Sequence, residues 1–232
     1  MDHFRQIYTR RAADYHRLIT PEDVDQRLLP ALEAGLPLAG RRVLDLGTGT
    51  GRLPLLLAGR AGACLALDLH WDMLRENARQ RAQAGGAWAL AQADMRALPV
   101  PDAAVDVVTA GWAIGHWRGW EPDDWQTPVG RILREMRRVV APGGALIICE
   151  TLGTGARTPA PPTPGLAEYY AWLETDWGFT RQVIATDYQF ADVDEAGART
   201  EFFFGPELAA QIRAQGWARL PEWTGVWTWR RP

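Results

Sequence analysis

The segment VLDLGTGTGRL, residues 43–53, constrains the fold of this 232-residue chain more than any other. A short apolar run enters three alternating glycines, Gly47, Gly49 and Gly51, and leaves through the helix-forming stretch RLPLLLAGR. Glycines let a backbone turn sharply and approach a ligand closely, and a following helix presents free N–H groups. The same rhythm continues along the chain. Apolar runs at 64–69, 88–94, 105–112 and 145–152 read as further strands, with helices expected over 71–85 and 127–140. In the last of these, Val129, Ile132, Leu133, Met136, Val139 and Val140 recur at helical spacing, and APGG (141–144) is expected to stop it. Strands that are nearly continuous apolar runs, alternating with helices, imply a parallel sheet covered on both faces and wound by right-handed crossovers.

The flanks are less regular. Residues 2–34 read as amphipathic helix interrupted near Thr20-Pro21, where Thr20 is expected to cap a new helix. The stretch TGARTPAPPTPG (154–165) must be an extended loop. After it come a helix near 165–177, a strand near 180–190, helices over 193–216 and a Trp-rich strand near 221–230. Asp192 and Glu195 stand at capping-box spacing, which marks a helix start. This tail is too fragmented for a core of its own, so the expectation is one domain over residues 1–232.

Composition removes several chemistries. The chain has no Lys and no Ser, which excludes serine nucleophiles, lysine Schiff bases and the Walker-type phosphate loop. Cys64 and Cys149 sit in apolar runs, and with only His3, His16, His70 and His116 no metal-ligand spacing arises. The net charge of −3 lacks the basic footprint of a nucleic-acid binder. No leader or membrane-length apolar run is visible, so a cytoplasmic location is expected.

Spacing then narrows the ligand. A dinucleotide fingerprint GxGxxG needs glycine at position 52, where this chain has Arg52. The pattern is DxGxGxG, and Asp45, two residues ahead of the first glycine, suits a cationic ammonium. Asp68, at the end of the second strand, can accept both hydroxyls of a ribose, and Asp94, at the end of the third, can receive an adenine amino group. Ammonium, ribose diol and exocyclic amine together describe S-adenosylmethionine (SAM).

With DLGTGTG, LDLHWDML, ADMRALPVPDAAVDVV and EMRRVVAPGGALIICET in order over about residues 41–152, the chain resembles the class I SAM-dependent methyltransferases. The likeness is to the small-molecule type that includes the ubiquinone/menaquinone C-methyltransferases. Through IYTRRAADY, TDYQF and EFFFG the flanks also resemble uncharacterised bacterial members. The resemblance implies an α/β fold, a doubly wound and mostly parallel seven-stranded sheet with an N-terminal helical cap. It implies that Asp45, Gly47, Thr48, Gly49 and Gly51 surround the methionine part of SAM and that Asp68 holds the ribose. Leu69 and Met73 flank the adenine, Asp94 and Met95 contact its edge, and Ala110 lies beneath the sulfonium. His70 departs from the family, which commonly has Ser there.

On the substrate side, AGWAIGHWRGWEPDDW (110–125) follows the fourth strand and brings Trp112, Trp117, Trp120, Trp125 and His116. Aromatic walls exclude water, and an imidazole titrates near neutral pH, so His116 is a candidate general base. Equally, His116 is a structural hydrogen-bonder and the tryptophans pack a lid. Tyr8 and Tyr15, seven apart, fall on one side of a helix. By family analogy this segment closes over SAM, with Tyr15 facing the cofactor and Tyr8 the substrate; the alternative is a helix packed on the sheet edge. The expected acceptor is a small molecule, with neither membrane nor nucleic acid as partner. The rival readings are a catalytically silent SAM-binding protein and an NAD(P)-dependent oxidoreductase.

Overall fold

The computed structural model describes residues 3–232. The expected helix start at residue 2 lies outside them. Three short helices come first: α1 (His3–Arg10), α2 (Ala12–Ile19) and α3 (Leu28–Gly35). The alternating core follows as β1 (Arg42–Leu46), α4 (Arg52–Leu57), β2 (Ala63–Asp68), α5 (Trp71–Gln83), β3 (Ala89–Gln92) and β4 (Val105–Gly111). It continues through α6 (His116–Trp120), α7 (Gln126–Val139) and β5 (Val140–Thr154). The tail supplies α8 (Pro164–Thr175), β6 (Thr180–Ala185), β7 (Tyr188–Gln189), α9 (Val193–Phe204), α10 (Pro206–Gln215), β8 (Arg219–Leu220) and β9 (Glu222–Arg230). No helix among these residues is long and apolar enough to cross a membrane.

Seven strands make one sheet in the order β3-β2-β1-β4-β5-β9-β6, while β7 and β8 pair separately. The first five run parallel, and β9 is antiparallel to both its neighbours. The alternation of side chains sorts the core onto two faces. Leu44, Leu46, Val108, Leu146 and Ile148 pack with Ile132 and Met136 of α7. Val43, Val107, Ile147 and Cys149 pack on the other face with Leu32 of α3 and Leu53 of α4. Strand order reverses between β1 and β4, which opens a crevice at their carboxyl ends.

Three local expectations are corrected. APGG does not separate α7 from the next strand; residues 141–144 belong to β5. They form a bulge, because Val105 pairs with Val140 whereas Val107 pairs with Ala145. Thr20 closes α2 instead of opening a helix, and its hydroxyl donates to the His16 carbonyl at 2.7 Å. The continuous N-terminal helix is broken at Arg11, whose φ/ψ of −131/31° is not helical. The Asp192 cap forms, with Asp192 Oδ1 accepting from Glu195 N–H at 2.8 Å. Both cysteines are free; Cys149 is buried, but Cys64 only partly so.

Candidate active site

The crevice is built around the glycine loop. Gly47 takes φ +61°, and a Cβ there would lie 2.5 Å from the Ala113 Cβ, so the loop packs directly on the segment after β4. Gly51 takes φ +97° as it opens α4, and a Cβ there would meet the Asn77 side-chain oxygen at 2.8 Å. Thr48 N–H donates to the Leu67 carbonyl at 2.9 Å, which ties the loop to β2.

Asp45, Asp68 and Asp94 all line this crevice, together with Gly47, Thr48, Gly49, Leu69, Met73 and Met95. Their circumstances differ. Asp45 is buried on β1, its Oδ1 accepts from Thr109 Oγ1 at 2.6 Å, and burial pushes its carboxyl up to about 7. Asp68 accepts Gly49 N–H on Oδ2 and His70 N–H on Oδ1, both at 2.8 Å. It thereby fixes the glycine loop to the start of α5, and burial raises its pKa against those bonds. Lone pairs remain on both oxygens for hydroxyl donors. The unusual His70 contributes its backbone N–H, so this bond does not depend on its side chain. Asp94 is held instead by Arg96, with Nη2 to Oδ2 at 2.6 Å, which keeps its carboxyl below the usual range. An amino group at Asp94 must share the carboxylate with that guanidinium.

Three placements differ from expectation, the first being Gly51, which opens α4 against Asn77 and does not line the crevice. Ala110 is fully buried in the core and does not line the crevice; Gly111, Trp112 and Ala113 do. The break at Arg11 puts Tyr8 and Tyr15 on separate helices, yet their rings still meet edge to face at 5.6 Å. Burial pushes Tyr15 up to about 12.

Tyr8 Oη lies 2.8 Å from His116 Nε2, and the imidazole stacks on Trp120 at 5.2 Å. Trp112 has φ +50°, and its ring carries the Arg52 guanidinium at 3.8 Å. Trp117 is buried against Arg96, whose guanidinium lies 4.8 Å from its ring. Trp125 packs on Trp172 and Tyr169 and lines neither cavity, so it is core rather than substrate wall.

With α1 and α2 across it, the crevice encloses only about 100 Å³, below the roughly 300–1,000 Å³ usual for ligand sites. It adjoins a wider cavity of about 840 Å³, and Tyr8, Tyr15, Arg52, Trp112, His116 and Trp120 line both. The donor set fits a cationic amino acid joined to a ribose: the glycine cradle, a buried carboxyl short of a counter-charge, and a second carboxylate at the crevice wall.

Several participants carry no local sequence signal. Asn77, the only Asn in the chain, holds the glycine loop from behind, and that uniqueness was its one available clue. Glu22, Glu150 and Glu222 enter the wide cavity from three distant parts of the chain.

Comparison with known proteins agrees with this architecture. Residues 44–148 match the family model described as a methyltransferase domain. The chain is 32% identical to the malonyl-[acyl-carrier protein] O-methyltransferase of Xylella fastidiosa over 65% of its own length, and spans about half (48%) of that relative. It is 31% identical to the 27-O-demethylrifamycin SV methyltransferase of Amycolatopsis mediterranei, over 88% of this chain and 70% of that one. The solved structure of the YcgJ protein from Bacillus subtilis shares the fold, with a TM-score of 0.59 at 16% identity, covering 89% of this chain and 99% of that one. Sheet order, glycine loop and relatives at this identity and coverage agree: the chain belongs to the class I SAM-dependent methyltransferases.

Proposed function

We propose that this chain transfers the SAM methyl group to a hydroxyl-bearing small molecule held in the wide cavity, with His116 as the proton acceptor. One observation carries the reading. His116 stands in the wall shared by the cofactor crevice and the wide cavity, with Tyr8 Oη on its Nε2. Bound SAM supplies a methyl group already activated on a sulfonium. The protein's part is to hold two partners in line, keep water out with aromatic walls, and take the proton that a hydroxyl must lose. Asp45 and the glycine loop hold the amino-acid end, and Asp68 the ribose.

A thermal-shift comparison of SAM, S-adenosylhomocysteine, NAD and NADP tests the cofactor, followed by an acceptor panel read as S-adenosylhomocysteine formation. At about 100 times its Kd a specific ligand adds roughly 2.7 kcal/mol, or about 5–11 °C. Shifts with the two sulfur nucleosides and turnover of a small hydroxyl acceptor are the expected results. A shift with NAD alone overturns the reading. Sulfur-nucleoside binding with no turnover on any acceptor favours a silent binder.

Two carboxylates yield specific expectations. Asp68→Ala removes a buried acceptor for ribose hydroxyls and should weaken SAM binding by about 1–3 kcal/mol, roughly 5- to 150-fold, in titration calorimetry. Unchanged affinity takes Asp68 out of the site. Asp45 gives a pH dependence. Its carboxyl titrates at about 7 in the ligand-free protein, and a bound ammonium favours the ionised form. Binding therefore releases a proton below pH 7. SAM affinity should climb by up to about tenfold per pH unit between pH 5.5 and 7 and then level off. Asp45→Asn should flatten that slope, and an equal slope in the variant assigns the effect elsewhere.

A further inference from the structure

The wide cavity contains a buried carboxyl with one oxygen left unsatisfied. Glu222, the first residue of β9, is 2% exposed and lines the cavity. Its Oε1 accepts from Thr151 Oγ1 at 2.8 Å, whereas Oε2 has no partner at hydrogen-bond geometry among the described residues. Glu22, in the same wall, accepts from Arg52 Nη1 at 2.6 Å. Arg52 rests on the Trp112 ring, and its Nη2 is likewise buried without a partner.

The charges can be balanced residue by residue. Glu22 and Arg52 neutralise one another. Glu150 accepts Gly115 N–H at 2.8 Å, and Arg118 pairs with Glu168 at 2.7 Å. Among the described residues, Glu150 and Glu222 are left without an ion-pair partner of their own. Burial and the neighbouring Glu22 push the Glu222 carboxyl up to about 8, against the hydroxyls of Thr154 and Thr151 and the through-space attraction of Arg52. A carboxyl buried beside another carboxylate is costly unless something supplies the missing positive charge. An anionic ligand there would face two acids for one guanidinium. A cation beside Glu222 satisfies the set.

We propose that the methyl acceptor carries an ammonium group, which binds Glu222 Oε2, and an oxygen beside it that accepts from Arg52 Nη2. The acceptor class is then an amine-bearing hydroxy compound. This assignment rests on reading the wide cavity as the acceptor site.

The test is a charge series on one scaffold: tyramine, para-ethylphenol and para-hydroxyphenylpropanoate, titrated into the full chain saturated with S-adenosylhomocysteine. Tyramine should bind about tenfold or more tighter than the other two, the scale of a charge-assisted hydrogen bond. Glu222→Gln, which keeps shape and removes the charge, should bring the three within about twofold while preserving the nucleoside-induced thermal shift. Preference for the propanoate overturns the proposal in favour of recognition led by Arg52. Equal binding of the three, or no binding, overturns it in favour of a water bridging Glu222 and Arg52. The wild-type series decides without the variant, should Glu222→Gln fold poorly. Loss of the nucleoside shift in the wild type counts against the methyltransferase reading itself, and is scored separately because ammonium binding needs no turnover.

Discussion

His116→Ala should lower methyl transfer to a hydroxyl acceptor by about 10²- to 10⁴-fold, the usual contribution of a positioned base, while the SAM-induced thermal shift survives. The side chain is unusually well fixed for this work. It begins α6, stacks on Trp120 at 14° between planes, and meets Phe4 at 5.4 Å and Tyr8 at 5.5 Å between ring centres. Its Nε2 is engaged by Tyr8 Oη at 2.8 Å, so an acceptor proton reaches it in one of two ways. Either the hydroxyl displaces Tyr8, or it passes its proton to Tyr8 Oη, which hands its own to the imidazole. Tyr8→Phe separates the two routes, since relay predicts a loss as large as that of His116→Ala and displacement predicts none. In both cases the acid limb that an imidazole base gives the rate profile should vanish in His116→Ala. Turnover at the wild-type rate in that variant ends the base assignment and leaves His116 as a structural hydrogen-bonder.

The part of this site that is legible in sequence is the part written locally. Asp45, the three glycines and Asp68 are set by a strand that runs into a turn, and the period of apolar residues places β1, β2 and β4 within about one residue of their observed limits. Features that depend on a distant partner were not legible. The bulge that carries β5 through Pro142-Gly143-Gly144 exists because β4 is there to pair with, not because of the turn residues themselves. Asp94 is a local exception, since it reads as a free acceptor until Arg96, two residues on, folds back onto it. The Glu22–Arg52–Glu222 cluster joins residues up to 200 positions apart, so no motif could announce it. The break at Arg11 is a similar case, because tertiary packing of Ile7, Tyr8 and Ala12 on Met73 overrides a helical pattern that runs straight through.

Asn77→Ala should cost about 2–5 kcal/mol of stability in denaturant unfolding, the range for a buried truncation that also orphans polar groups. Asn77 is fully buried on α5. Its amide donates to the Gly49 carbonyl at 3.2 Å and Thr48 Oγ1 at 3.3 Å, and its Oδ1 accepts from Trp88 Nε1 at 2.9 Å. Alanine leaves the buried indole N–H without its acceptor, frees the Gly49 carbonyl, and opens a void against Gly51. The glycine loop then loses its support on the side away from the crevice, so SAM affinity should fall as well, although Asn77 does not line the crevice. Asn77→Asp distinguishes support from mere packing. It retains volume and the acceptor for Trp88, but turns a donor into a carboxylate oxygen facing the Gly49 carbonyl. If loop support is what matters, Asn77→Asp should lose SAM affinity as Asn77→Ala does, despite its matching shape. An Asn77→Asp chain that binds SAM normally, or an Asn77→Ala chain within about 1 kcal/mol of wild type, would show that the loop holds its conformation without this residue.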